Sequence, residues 1–491
     1  MATEAYARVR QGLGVTLVTS GPGGTNCVTG VAGSWLDHVP HVTISGQVFL
    51  GQTIVNHPDL RTLGVQEINI VDIVQPITKY AVMVKDAQEI RYHLEKAVYL
   101  ATHGRPGPTW IDIPANIQNA TVDTETLTGF DPKECELSLD PDLQSKVADV
   151  VKLLESARRP LVHVGQGVRI AQAEEEFFNL VGKYRLPFVT ARNANDIAGS
   201  DHELYVGRPG TFAQRGANFA VQTSDLYLAI GTRLSLAQTG YNADDYARNA
   251  KVVMVDIDQA ELDKNTVDLH LKIQTDAKLF LAELSRQLSQ TELNSEQWSP
   301  WLTQCQQWQE KYPVVLPEYQ EQTGSVNSYH FVDILSDVLT SNDVVVTDMG
   351  FAFQNIHQAF RVKKGQRVFT NCGLASMGWG LPAAVGACVG SGRKRTVCVA
   401  GEGGLMMTIQ ELATIQHTRL PVKVFVLNNG GYLTIKQTQE LGFEKRYMGI
   451  DGDSGLSFPD FMKLAEAHGI KGIRLTSHRN LKQQLEEIME H

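Results

Sequence analysis

The chain has 491 residues, 43% of them hydrophobic, and a formal net charge of -10. That length calls for about three domains, and the acidic balance excludes a nucleic-acid footprint. No uninterrupted apolar run is long enough to span a bilayer, and no signal peptide is apparent, so a soluble cytoplasmic protein is expected.

Residues 1–130 read as a first α/β segment. Residues 1–10 have helical spacing, and residues 15–20 (VTLVTS) are an apolar run typical of a buried strand. A glycine-rich loop over 20–26 (SGPGGTN) feeds a helix, and 42–46 (VTISG) is the next strand. A helical pattern over 90–101 ends before the turn at 104–108, and 109–114 (TWIDIP) is a further strand. Residues 120–140 form a polar, acidic linker.

Residues 141–290 repeat the alternation. Apolar runs at 160–168, 187–190, 226–234 and 252–258 are separated by helical patterns, as in a second parallel α/β unit. Gly165-Gln166-Gly167 and Gly231-Thr232-Arg233 both follow strands, but no complete GxGxxG is present, which favours structural use over a nucleotide site. Residues 291–323 are polar and helical, and the spacing of Trp298, Trp301 and Trp308 predicts helix packing. Cys27, Cys135, Cys305, Cys372, Cys388 and Cys398 form no CxxC pairs, so neither zinc nor a disulfide framework is indicated.

The last segment, 325–491, carries the strongest signal. Residues 344–350 (VVVTDMG) read as a strand and loop, and Gly350, Phe351 and Ala352 are placed to offer backbone N–H groups to a diphosphate. Residues 396–400 (TVCVA) end in Gly401-Glu402-Gly403-Gly404; an amphipathic helix through Met406, Met407, Ile409, Leu412 and Ile415 is expected next. A second apolar run, 422–427, stops at Asn428-Asn429-Gly430-Gly431. Successive strand ends of a parallel sheet converge on one crevice. Glycines there admit a phosphate, and a carboxylate with an amide oxygen suits Mg²⁺. Two ordinary βα turns are the alternative.

The pattern G-E-G, 24 residues (404–427), then N-N resembles the thiamine-diphosphate (ThDP) signature, with Glu402 where that family usually has Asp. The stretches SGPGGTN, WLDHVPHVTISGQV and GRPGPTWIDIPANIQ resemble the pyrimidine-binding domain of acetolactate-synthase-like ThDP enzymes, and TNCGLASMGWGLPAAVGA (370–387) their pyrimidine-holding segment. The resemblance implies three doubly wound parallel-sheet α/β domains: pyrimidine-binding (1–130), central (141–290) and diphosphate-binding (325–491). It implies ThDP and Mg²⁺ as cofactors, with FAD optional in the central domain. Glu402, Asn429 and the Gly431 carbonyl would bind the metal. Gly350, Phe351, Ala352, Gly403, Gly404, Asn429 and Gly431 would bind the cofactor. Met377 would bend it, the Ala375 carbonyl would receive its amino group, and Gln66 would face the substrate.

Family members open with a further strand and an activating glutamate that finds no match here, so the first domain reads as incomplete and the C-terminus as slightly clipped. Glu4, aligned to the family's A-x-G-Y-A-R segment, reads instead as a solvated charge on a helix face. The activity implied is decarboxylation of a 2-oxo acid, pyruvate first, and transfer of the two-carbon unit to an acceptor carbonyl, impaired in this chain. Thr438 and Ala115 stand where acetolactate synthases carry a tryptophan and a lysine, which implies a changed acceptor pocket. A plain ThDP decarboxylase or lyase and a noncatalytic cofactor-binding fragment are the competing readings. A homodimer or homotetramer with shared sites is implied.

Overall fold

Four strands build the first sheet: β1 (Gly14–Val18), β2 (His41–Gln47), β3 (Tyr80–Met83) and β4 (Pro108–Pro114). They run in parallel in the order β1-β2-β4-β3. The central pair, β2 and β4, is buried along nearly its whole length, as parallel strands covered on both faces must be. The edge strand β1 leaves Val15 and Leu17 exposed. These coordinates are a computed structural model, which describes residues 1–57, 59–135 and 140–490. The expected acidic linker falls outside the described residues at 136–139, as does the final residue, 491.

The second sheet contains β5 (Pro160–Val164), β6 (Phe188–Thr190), β7 (Tyr205–Gly207), β8 (Leu226–Ile230), β9 (Lys251–Asp256) and β10 (Leu271–Gln274). All pairs are parallel, in the order β10-β9-β8-β5-β6-β7. The order reverses at β5, the position where doubly wound sheets open a crevice. Here the two glycine turns fill it with each other. Gly165 N–H donates to the Ile230 carbonyl and Gly167 N–H to the Gly231 carbonyl, both at 2.9 Å. A Cβ on Gly165 would stand 2.1 Å from the Gly231 oxygen. The glycines therefore serve backbone-to-backbone packing. Gly165→Ala is expected to lower unfolding free energy by about 2 kcal/mol or more, because neither backbone can yield; urea denaturation measures it.

The tryptophans of the connector pack as expected. Trp298 donates its indole N–H to the Ala157 carbonyl and Trp301 to the Pro160 carbonyl, each at 2.9 Å, at the start of helix Ser299–Lys311. Among the described residues all six cysteines are unbridged.

The C-terminal segment supplies β11 (Val344–Thr347), β12 (Arg367–Phe369), β13 (Thr396–Gly401) and β14 (Val422–Leu427), with β11 and β12 paired in parallel. The single amphipathic helix expected after β13 is two helices, Glu402–Met407 and Glu411–Thr418. The break falls at Thr408, whose hydroxyl donates to the Gly378 carbonyl at 2.9 Å, a partner the helical periodicity cannot register.

By compactness the chain divides into Met1–Leu137 with Thr370–Val426, and Ser138–Phe369 with Leu427–His491. In the first unit, helix Ala2–Arg10 lies against helix Gly380–Gly390. A Cβ on Gly386 would fall 1.9 Å from the Ala2 oxygen, so only glycine admits that approach. In the second, Asp196 accepts from Arg169, from Arg367 Nε (2.8 Å) and from the Val368 N–H (2.9 Å). Burial would raise its carboxyl, but Arg169 and Arg367 together hold it down to about 2.

Candidate functional site

In the first unit β13 ends at Gly401, and Glu402 opens the following helix with its side chain buried. Gly403 and Gly404 are buried in the same turn. The segment 370–379 packs directly on this helix. A Cβ on Gly378 would meet Met407 Cβ at 2.7 Å and the Gly404 oxygen at 3.5 Å. The structure thus brings Gly378, the residue after Met377, against this helix. Ala375 has φ 59°, a left-handed conformation costing a non-glycine residue about 1–2 kcal/mol. Asn371 holds it there: the N–H of Ala375 donates to both the carbonyl (3.0 Å) and the side-chain oxygen (3.1 Å) of Asn371.

Glu4 is not a solvated charge. It is 0% exposed, and both of its oxygens are engaged. Arg8 donates to Oε1 from Nη2 (2.7 Å) and Nε (3.2 Å), and Trp379 Nε1 donates to Oε2 at 2.7 Å. Asn371 Nδ2 donates to the same carboxylate at 3.1 Å. Arg8 also bonds Asp37 at 2.6 Å. Burial opposes the guanidinium charge, but Asp37 and Glu4 outweigh it and hold Arg8 above its ordinary range. The reading as a surface charge fails because Asp37, Asn371 and Trp379 lie far from Glu4 in sequence. Glu4 anchors the turn that fixes Ala375.

Gln66 is exposed at φ 60° on the loop after β2. Its carbonyl lies against Gly21, where a Cβ would stand 2.3 Å from the Gln66 oxygen. The glycine-rich loop following β1 is therefore a seat for Gln66.

The second unit carries the remaining candidates. Gly350, at φ 75°, caps helix Phe351–Ala359, and no side chain caps the N–H groups of its first turn, which begins Phe351-Ala352. The sequence reading missed Arg208, which is 1% exposed and holds the other end of that helix. It donates to the carbonyls of His357 (2.7 Å) and Phe360 (2.9 Å). A lone arginine between Gly207 and Pro209 gives no periodic signal. Arg208→Lys keeps the charge but loses the planar fork; a loss of about 2 kcal/mol in urea denaturation is expected.

Asn429 Oδ1 accepts the Gly431 N–H at 3.2 Å, which orients its amide oxygen. Gly431 pairs with Asp451 in an isolated antiparallel bridge, and a Cβ there would meet the Ile450 oxygen at 2.3 Å. Glu402 in the first unit offers carboxylate oxygens, and Asn429 and Gly431 in the second offer neutral ones; each is a hard donor of the kind Mg²⁺ takes. Among the described residues no group of three or more His, Cys, Asp or Glu is placed to hold a metal. Few protein carboxylates suits an ion that shares its shell with substrate phosphates and water.

Parallel α/β sheets, a glycine-seated loop after β1 and glycine turns around a buried carboxylate define a cofactor-binding α/β enzyme. Three family models match the chain: the thiamine pyrophosphate enzyme N-terminal TPP binding domain at residues 1–71, the central domain at 147–284 and the C-terminal TPP binding domain at 348–491. The chain is 32% identical to the acetolactate synthase large subunit of Cyanidium caldarium, over 99% of this chain and 82% of that one. It is 32% identical to the acetolactate synthase isozyme 2 large subunit of Escherichia coli, over 100% and 84%. For the acetolactate synthase large subunit of Parasynechococcus marenigrum the values are 34%, 99% and 76%. The chain belongs to the thiamine pyrophosphate enzyme family, within its acetolactate-synthase-like members.

Proposed function

We propose that this chain is a ThDP- and Mg²⁺-dependent 2-oxo-acid carboligase, decarboxylating pyruvate and passing the two-carbon unit to an acceptor carbonyl. The observation that carries the reading is the buried Glu402 at the end of β13, with Gly378 of the 370–379 segment packed on the helix that Glu402 opens. The full-length similarity to acetolactate synthases supports the donor.

When bound, ThDP supplies the electron sink for loss of CO₂. The protein's part is placement. Glu402, Asn429 and the Gly431 carbonyl would hold Mg²⁺, and through it the diphosphate. The N–H groups at Gly350, Phe351, Ala352, Gly403 and Gly404 would complete the diphosphate cradle. The Ala375 carbonyl, fixed by Asn371, would orient the pyrimidine amino group, and Met377 would enforce the bend that creates proximity. Gln66 would meet the substrate. Residues 1–130, 141–290 and 325–491 are the pyrimidine, central and diphosphate domains in this reading. Two copies or four would assemble in the cytoplasm. FAD stays optional in the central domain; the N–H groups of Gly165 and Gly167 are paired with backbone carbonyls, so a flavin would be held by other groups.

Glu4 is not expected to act as the activating acid-base group. Both oxygens of Glu4 are engaged by Arg8, Asn371 and Trp379, so this carboxylate is not offered to the pyrimidine. The test is incubation with pyruvate, ThDP and Mg²⁺, following CO₂ and any carbon–carbon product. CO₂ alone would make the chain a decarboxylase; cofactor binding without either product would make it a noncatalytic binder.

A further inference from the structure

The first unit contains a buried carboxyl that neither the metal turn nor the pyrimidine segment uses. Asp112, 0% exposed on β4, accepts the Ser45 hydroxyl at 2.5 Å and the Gln47 amide at 3.0 Å, both from β2. Trp110 Nε1 donates to the same Ser45 oxygen at 2.8 Å, which directs the hydroxyl proton to Asp112. The Gln47 amide nitrogen also donates to the Ile68 carbonyl at 3.0 Å, and its oxygen accepts the Val48 N–H at 3.0 Å. Val48 and Ile68 bracket the loop that carries Gln66. One carboxylate thus orients one amide, and that amide closes both ends of the loop.

Among the described residues Ile68 packs on the cluster of Ile70 and Trp110, but much of the remaining apolar character of the loop faces outward. Phe49, Val55, Leu60, Leu63 and Val65 are all exposed. Its interior is tied by Glu67, whose carboxylate accepts the N–H groups of Ile54 and Leu63, each at 3.1 Å. A segment with few buried apolar contacts opens easily unless polar contacts close it.

We propose that Asp112 is a positioning residue: through Gln47 it latches the loop between β2 and Ile68 and sets where Gln66 stands toward the substrate. The role of Gln66 rests on the carboligase reading; the latch itself does not.

Burial pushes the Asp112 carboxyl up to about 6, against the Ser45 and Gln47 hydrogen bonds, with Glu67 adding to the rise. Glu67 is the charged group acting on it among the described residues. The ionised form accepts both donors; the protonated form presents a proton to one of them. The latch therefore loosens as pH falls through about 6. Stability moves the other way. A carboxyl raised in the folded state favours folding below its unfolded value, about 3.9, and that contribution is lost as pH rises through the folded value.

These opposite signs separate latching from plain structural support. Asp112→Asn keeps the shape, removes the buried charge, and turns an amide donor toward either Ser45 or Gln47. At about pH 8 its melting temperature is expected to equal or exceed that of the parent. Amide exchange over 48–69 is expected to be about tenfold faster or more, with exchange in β2 and β4 unchanged. Its corrected exchange rate should also lack the step near pH 6 expected of the parent. Gln47→Leu, which keeps bulk, should loosen the same residues without additivity in the double variant. Unchanged exchange over 48–69 in both variants overturns the latch. With ThDP, Mg²⁺ and pyruvate, kcat/KM should fall about ten- to a hundredfold while ThDP affinity stays within about twofold. A loosened loop with unchanged kcat/KM overturns the positioning of Gln66. A parent chain that turns over no 2-oxo acid sinks the carboligase reading and leaves the exchange result to decide the latch.

Discussion

Arg8→Met is expected to destabilise this protein more than any other single change considered, by about 3–5 kcal/mol, because it removes the cation shared by two buried carboxylates. Glu4 and Asp37 would keep their desolvation cost and lose the guanidinium that each bonds at 2.7 and 2.6 Å. Glu4→Gln should cost less, about 1–3 kcal/mol, since one amide donor then faces Arg8, Asn371 or Trp379. The ordering matters for function. If Glu4 were the group that activates the cofactor, Glu4→Gln would abolish turnover at nearly parental stability. As the anchor of the Ala375 turn, it should lower stability and ThDP affinity together. Urea denaturation paired with calorimetric ThDP titration measures both, and a stable, ThDP-binding but inactive Glu4→Gln would reverse the assignment.

This network also marks how far the sequence can be read. The runs at 42–46 and 109–114 lie within β2 and β4, because a buried parallel strand is a plain apolar run between turn residues, and 422–427 is β14, which is only half-buried. The helix 90–101 is equally legible, found as Ile90–Thr102. The strands β3, β7, β10 and β12 are three or four residues long and escaped; β6 and β11 are as short but were legible as apolar runs closed by turn or loop residues. The close approach of Gly165 to Gly231 was not legible, because a glycine after a strand does not say which other backbone it meets. Glu4 misled for a physical reason. Its i+4 partner Arg8 is the pattern of an exposed helix pair, while the contacts that bury it come from Asp37, Asn371 and Trp379. Arg208 and Asp112 were invisible for the same cause: what makes them matter is which distant backbone or side chain they reach.

Glu402→Ala is expected to weaken Mg²⁺·ThDP binding by at least about a hundredfold, which is roughly 2.7 kcal/mol. Glu402 supplies the one carboxylate of the proposed metal shell, the others being the Asn429 amide and the Gly431 carbonyl, both neutral. A neutral alanine removes the only anionic protein ligand from a cation that must also hold a diphosphate. Glu402→Asp restores the residue type usual in the family and shortens the arm by one methylene, so its affinity should stay within about tenfold of the parent. The readout follows from mass action: at about a hundredfold excess of ligand over Kd, binding adds about 2.7 kcal/mol to the stability of the folded state. The parent and Glu402→Asp should therefore melt at higher temperature on adding Mg²⁺ and ThDP, and Glu402→Ala should not. Chelation of Mg²⁺ should erase the shift in the first two. An equal shift in Glu402→Ala would remove the metal from β13, and with it the reason to place a diphosphate at this turn.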